Sequence, residues 1–298
     1  MKKNLLLYIA ALAALTSCYQ PEVQASMPSV RITDTAASVP IIKISGSTTI
    51  SPIIEKITTQ LSKSNSYQVE IVAKGSSDGM DDLFKGKADI AMSSHLISPK
   101  AKAEFRTSNM EYVEFLLAGD ALVFVVNVQN PIKSLTQEQL VAIFKGKVSN
   151  WKQVGGPDAA INIISRDSLS GTYSFMKAEL LENEPLHAKA KLVASNDSLF
   201  TTVASDRFAI GYTSFSNLDY SVEPLNVSFD FGKTYISPRV ETVNNLTYRF
   251  FRGLYLYYKP ESYEKIKSLM AVVKADTVQK MLKKNGYIPI NHHLITRK

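Results

Sequence analysis

From Ile41 onward, apolar positions recur in two alternating rhythms. Ile41–Ser45, Gln68–Ala73, Ala88–Met92, Ile161–Ser165 and Ala209–Thr213 are short β-rich runs. Ala121–Asn127 is continuously apolar, the kind of strand buried on both faces. Tyr248–Tyr258 is a longer apolar and aromatic run. Between these lie helical patterns. Ser51 and Pro52 open one that carries Ile53, Ile54, Ile57 and Leu61 on a single face. Met80, Leu83 and Phe84 face inward on a second. Thr136 and Gln139 form a capping box before Leu140, Ile143 and Phe144. Gly171–Leu181 is a further helix, and Glu261–Lys284 reads as two helical segments closed by Gly286. Strand and helix in alternation predict an α/β fold with mostly parallel sheets. About 260 residues in this pattern exceed one ordinary domain, so two lobes joined by two crossovers are expected. Residues 41–119 with 248–298 form the first lobe, and residues 120–247 the second.

The first forty residues follow a different rule. Lys2 and Lys3 precede an apolar run, Leu5–Leu15, too short to span a bilayer as a helix. It ends in Leu15-Thr16-Ser17-Cys18, which resembles a bacterial lipoprotein signal. Residues 1–17 are then a signal peptide, and acylated Cys18 anchors the chain to a lipid membrane at the cell envelope, on its extracytoplasmic face. Cys18 is the chain's single cysteine, and acylation accounts for it. Residues 18–40, rich in Pro, Ser, Thr and Ala without periodicity, read as a flexible tether.

Composition adds little to this picture. The 298 residues are 45% hydrophobic and 20% charged, an ordinary globular balance. The formal charge is +7, to which Lys2 and Lys3 contribute. A modest positive balance suits anionic small molecules. No dense Lys/Arg run is interleaved with aromatics, so a nucleic-acid partner is not expected.

Candidate chemistry sits in three turns of one composition: Gly46-Ser47-Thr48-Thr49, Gly75-Ser76-Ser77-Asp78-Gly79 and Ser168-Leu169-Ser170-Gly171-Thr172. Each follows a strand and opens a helix. The first amides of a helix lack internal partners, and the dipole there favours negative charge. Gly admits close approach to the backbone, and Ser and Thr hydroxyls add rotatable donors. Arg166, four residues before Ser170, supplies a guanidinium suited to two oxygens of an oxyanion. Each turn alone reads as a helix cap; the three together predict a convergent anion site.

These turns and several longer blocks resemble the substrate-binding proteins of high-affinity bacterial phosphate ABC transporters. The resemblance runs from about Ile42 to the C-terminus. It is carried by Gly46-Ser47-Thr48 with Pro52, Gly75-Ser76-Ser77, Ala88–Ser94, Asn130-Pro131 with Leu135-Thr136, Ile143–Trp151 before Gly155-Gly156, Arg166-x-x-x-Ser170-Gly171-Thr172, and Ile210-Gly211-Tyr212. It implies a two-lobed, flytrap-like periplasmic-binding-protein fold. It also implies phosphate held by the Thr48 hydroxyl, the Thr49 amide, Ser76, Ser94, Arg166, Ser170, Gly171 and Thr172. The partners implied are inorganic phosphate and a permease with its ATPase, with the chain a monomer and no cofactor or metal. The Trp151 block is expected to pack the second lobe rather than touch ligand.

One departure stands out. Many members place an Asp where this chain has Ser94, followed by His95; that Asp accepts the hydrogen of hydrogenphosphate and rejects sulfate. Asp120, at the first crossover, is a candidate substitute acceptor. Ser94 therefore leaves open a flytrap for sulfate or molybdate, or a sensor or adhesin role. A hydrolase is a remote alternative. His95, His187, His292 and His293 sit in no recognisable catalytic motif, and Gly-x-Ser-x-Gly is absent.

Overall fold

The computed structural model describes residues 40–61 and 68–290. The expected signal peptide, Cys18, all but the last residue of the expected tether, and the His292-His293 pair lie outside these. In chain order the elements are β1 (Ile41–Gly46), α1 (Ser51–Leu61), β2 (Gln68–Ala73), α2 (Ser76–Phe84), β3 (Ile90–Ser93), α3 (Pro99–Thr107), β4 (Val113–Asn127), β5 (Ser134–Thr136) and α4 (Gln137–Phe144). They continue with β6 (Asn162–Arg166), α5 (Gly171–Glu179), β7 (Lys191–Val193), α6 (Asn196–Ser205), β8 (Ala209–Ser214), β9 (Val222–Pro224), β10 (Asn226–Ser228), α7 (Val240–Asn244), β11 (Phe251–Tyr258), α8 (Tyr263–Val273) and α9 (Asp276–Lys284).

The path of hydrogen-bonded strands runs β2-β1-β3-β11-β4-β8-β6-β7, with β9 also on β4. Strands β2, β1 and β3 are parallel to one another, as are β8, β6 and β7. Between these groups β4 and β11 run antiparallel to their neighbours. Each lobe thus has a parallel core closed by an antiparallel crossover strand.

Strand β4 is the physical link. Its first half pairs with β11, up to Asp120 opposite Arg252 and Ala121 opposite Phe251. Its second half, from Leu122, pairs with β8. The sequence marked only Ala121–Asn127 as strand. The half-polar segment before it is also strand, because β11 supplies its partner. Tyr248 and Phe250 precede β11 and pack in the second lobe's core, with the Tyr248 hydroxyl donating to Leu122 O at 3.0 Å. The chain therefore returns to the first lobe at Phe251–Arg252.

Two cores sit on either side of this link. One gathers Ile42 and Ile44 of β1, Ile53, Ile54 and Ile57 of α1, and Ile266, Leu269 and Met270 of α8. The other gathers Phe124, Leu140, Phe144, Trp151, Met176 and Tyr212. Each fully buried side chain of this size contributes roughly 1.5–3 kcal/mol. The expected capping box is present, with Thr136 Oγ1 accepting from Gln139 N at 3.2 Å and Gln139 Oε1 accepting from Thr136 N at 2.9 Å. Trp151 is fully buried and donates its indole N–H to Phe208 O at 3.0 Å.

Candidate functional site

Three strand ends deliver the Ser/Thr turns to one enclosed place. At the end of β1, Gly46 has φ +131°, and a side chain there would run into the Met92 carbonyl. Glycine at this position lets the following turn fold back onto β3, where Ser47 N donates to Met92 O at 2.9 Å. After β2, Gly75 has φ +128°; an added Cβ would lie 2.5 Å from Leu169 O of the opposite lobe. Ser77 N points the same way, 3.4 Å from Leu169 O. The two lobes meet at these turns.

The contacts then run across the lobes. Thr48 Oγ1 accepts from both terminal nitrogens of Arg166 at 3.4 Å. The hydroxyls of Thr49 and Thr172 lie 3.3 Å apart. Ser76 Oγ and Ser94 Oγ are 3.3 Å apart, and Ser94 N donates to Ser76 Oγ at 3.2 Å. A Cβ on Gly171 would collide with both of those hydroxyls. So Thr48, Thr49, Ser76, Ser94, Arg166, Gly171 and Thr172 line one small enclosure. Ser76, Ser94, Arg166 and Thr172 are almost wholly buried.

Two residues of the set have a local duty as well. Ser170 is the N-cap of α5, its Oγ accepting from Tyr173 N at 3.3 Å. Capping leaves the Gly171 and Thr172 amides as the unpaired first donors of the helix. The Thr49 amide donates to Ser47 Oγ at 3.1 Å.

Arg166 is held rigidly from behind. Its Nη1 donates to Asn196 Oδ1 at 2.6 Å and its Nη2 to Ala194 O at 2.8 Å. Its Nε is buried with no partner. Burial lowers its pKa, with Asp167 acting in the opposite direction, but a guanidinium stays charged at neutral pH regardless. Its backbone is fixed by Tyr212, whose hydroxyl accepts from Arg166 N at 3.2 Å and meets Ser165 Oγ at 2.7 Å. Burial pushes the Tyr212 phenol well above its ordinary range, so it stays neutral.

A second cation was not anticipated. Arg252 of β11 is buried and donates from Nη1 to Thr172 Oγ1 at 3.1 Å. Its Nε and Nη2 both reach Asp120 Oδ2, at 3.0 and 2.8 Å. Ser214 Oγ donates to the same oxygen at 2.7 Å, and Ser216 N to Oδ1 at 3.1 Å. Asp120, the candidate proton acceptor, thus directs its carboxylate at Arg252, Ser214 and Ser216 of its own framework. An arginine inside the aromatic run Tyr248–Tyr258, next to Gly253, was the available signal for Arg252. Asn196, one residue into α6, carried no such signal.

The enclosure therefore combines two guanidiniums, one paired carboxylate, helix-start amides and several hydroxyls. That set suits an oxyanion. Among the described residues no group of three His, Cys, Asp or Glu is placed to hold a metal.

Comparison with known proteins agrees with this arrangement. Residues 31–277 match the family model described as a PBP superfamily domain. The PstS phosphate-binding protein of Borreliella burgdorferi is 34% identical over 253 residues, covering 81% of this chain and 87% of the relative. The chain belongs to the phosphate-binding protein family. A family member from Clostridium perfringens, solved with bound phosphate and described as a phosphate ABC transporter substrate-binding protein, superposes with a TM-score of 0.76 at 28% identity. It is matched over 84% of this chain and 100% of its own. An ABC-type phosphate transport receptor from Vibrio cholerae gives a TM-score of 0.68 at 30% identity, over 84% of this chain and 100% of its own. Phosphate-binding proteins of this family are substrate-binding proteins, so the chain is a binding protein and not an enzyme. The α/β two-lobed periplasmic-binding-protein fold expected from the sequence is the fold observed, and the hydrolase alternative falls away.

Proposed function

We propose that this chain captures inorganic phosphate between its two lobes and delivers it to an ABC-transporter permease. The observation that carries the reading is the convergence of Thr48, Ser76, Gly171 and Thr172 with Arg166 on one enclosure. Phosphate fits the donor set: the Gly171 and Thr172 amides, the Thr48, Ser76, Ser94 and Thr172 hydroxyls, and the open Nε of Arg166. Arg166 and Arg252 balance its charge, while Asp120 tempers the second of them.

The lobes are residues 41–119 with the chain from about residue 251 onward, and the segment between, whose core takes in Tyr248 and Phe250. They open and close about β4 and β11, and closure is reversible capture without chemistry. Upstream, residues 1–17 direct export and Cys18 carries the lipid, with residues 18–40 as tether on the extracytoplasmic side. Labelled palmitate incorporated into the chain and lost in Cys18→Ser is the expected sign of anchoring; equal labelling of both refutes it.

Equilibrium dialysis of labelled phosphate against the phosphate-stripped chain tests the capture. Unlabelled phosphate should displace the label, and sulfate and molybdate should not. Displacement by sulfate or molybdate at equal concentration would transfer the site to those anions, an option that Ser94 keeps open. No retained label would refute capture.

A further inference from the structure

Once the shell is assembled, one buried acceptor on its wall has nothing to accept. His95 follows Ser94 at the end of β3. Its Nδ1 lies 2.5 Å from Leu96 O. A carbonyl oxygen only accepts, so Nδ1 carries the hydrogen, and in the neutral ring Nε2 is a bare lone pair. That Nε2 is enclosed and no donor reaches it. The edge of the ring that bears it faces the start of α5: a Cβ on Gly171 would stand 3.0 Å from His95 Cδ2 and against the Ser76 and Ser94 hydroxyls. The contact between the two serines uses one of their two hydroxyl hydrogens, and Ser76 Oγ also accepts from Ser94 N, so neither hydroxyl is paired with the ring.

Other charged groups line the groove of about 710 Å³ that the ring also borders: Asp81 of α2, Lys100 and Glu104 of α3, Glu179 of α5 and Arg252 of β11. Burial pulls the imidazole below its ordinary pKa, the Leu96 carbonyl opposes this, and Arg252 adds to the lowering. The ring is neutral at pH 7.

An uncharged acceptor on the wall of an anion site repels oxygens that bring only lone pairs. It attracts an oxygen that brings a hydrogen. The geometry points to His95 as the specificity residue of the enclosure, its Nε2 accepting the hydrogen of a protonated oxyanion, so that hydrogenphosphate is held and sulfate is turned away. This rests on the phosphate reading above. It gives the chain an imidazole where Ser94 offers only a hydroxyl.

The test is a titration of phosphate, arsenate and sulfate against the phosphate-stripped full chain and its His95→Phe and His95→Gln variants. Phe keeps a ring and removes the acceptor; Gln restores an acceptor oxygen near Nε2. In His95→Phe, phosphate and arsenate should each weaken roughly ten- to hundred-fold. Sulfate should be unchanged or tighter, and His95→Gln should recover part of the preference. At a pH acid enough to protonate the ring, which burial moves below the ordinary imidazole range, Nε2 becomes a donor. The phosphate-to-sulfate ratio of the wild type should then fall further than phosphate's own titration makes it fall in His95→Phe. Nitrogen NMR of labelled histidine in the wild type should show Nε2 moving on addition of phosphate and not of sulfate, a readout that needs no variant to fold. If the wild type binds phosphate but His95→Phe keeps its ratio, or Nε2 does not respond, the assignment of His95 fails alone. If the wild type binds no phosphate, the parent reading fails with it.

Discussion

Asp120→Asn separates a framework carboxylate from one that contacts ligand. Asp120 and Arg252 are both buried, and the pair is closed by two guanidinium contacts at 3.0 and 2.8 Å. Ser214 Oγ adds a third donor to Oδ2, at 2.7 Å. An amide keeps an acceptor for Ser216 N but cannot receive all three donors, and it leaves a buried guanidinium without a counter-charge. Breaking such a pair from one side costs about 3–5 kcal/mol. For a domain of this size each kcal/mol lowers Tm by about 2–4 °C, so the drop should be roughly 6–20 °C. Differential scanning calorimetry of phosphate-stripped wild type and variant measures it. The phosphate-to-sulfate ratio, from titration at a temperature where the variant is folded, should stay within about threefold of wild type. A Tm within about 2 °C of wild type, or a selective loss of phosphate, would refute the framework role and return Asp120 to the ligand's side.

Arg166→Ala should weaken phosphate by about 2–5 kcal/mol, since the anion loses a buried charged partner; unchanged affinity by titration calorimetry would remove Arg166 from the site. Gly171→Ala should weaken phosphate at least tenfold, because the methyl would stand 2.2 Å from the Ser76 and Ser94 hydroxyls and force the two turns apart. Wild-type affinity in that variant would contradict the closed arrangement. Trp151→Phe should cost about 2 kcal/mol in a urea melt, from the orphaned Phe208 carbonyl and lost packing, with phosphate affinity unaltered; an affinity loss would place the indole near ligand.

Much of the fold is legible in the residue pattern because each element carries a local signal. Thr136 and Gln139 mark the start of α4 by the reciprocal bonds they make, and Ile53, Ile54 and Ile57 mark the inward face of α1 by spacing. The first half of β4 has no such signal: its partner is more than a hundred residues away on β11, and pairing, not pattern, makes it a strand. The same holds for the site. Gly-Ser-Thr turns and Arg166 announce themselves by composition at strand-to-helix junctions. Asn196 and Arg252 join the site only through tertiary contact, one bracing Arg166 and the other reaching Thr172. Ser170 shows that the capping and ligand readings of such a turn need not compete. Its hydroxyl caps α5, and that cap orients the amides facing the enclosure.

Everything above depends on an oxyanion being held where Arg166 and the three helix starts meet. Titration calorimetry of phosphate into the full chain, stripped by partial unfolding and dialysis, measures this with the fewest assumptions. One phosphate per chain, with saturable heat that disappears in Arg166→Ala, is the predicted outcome. A stripped, folded chain that gives no heat with phosphate would contradict it.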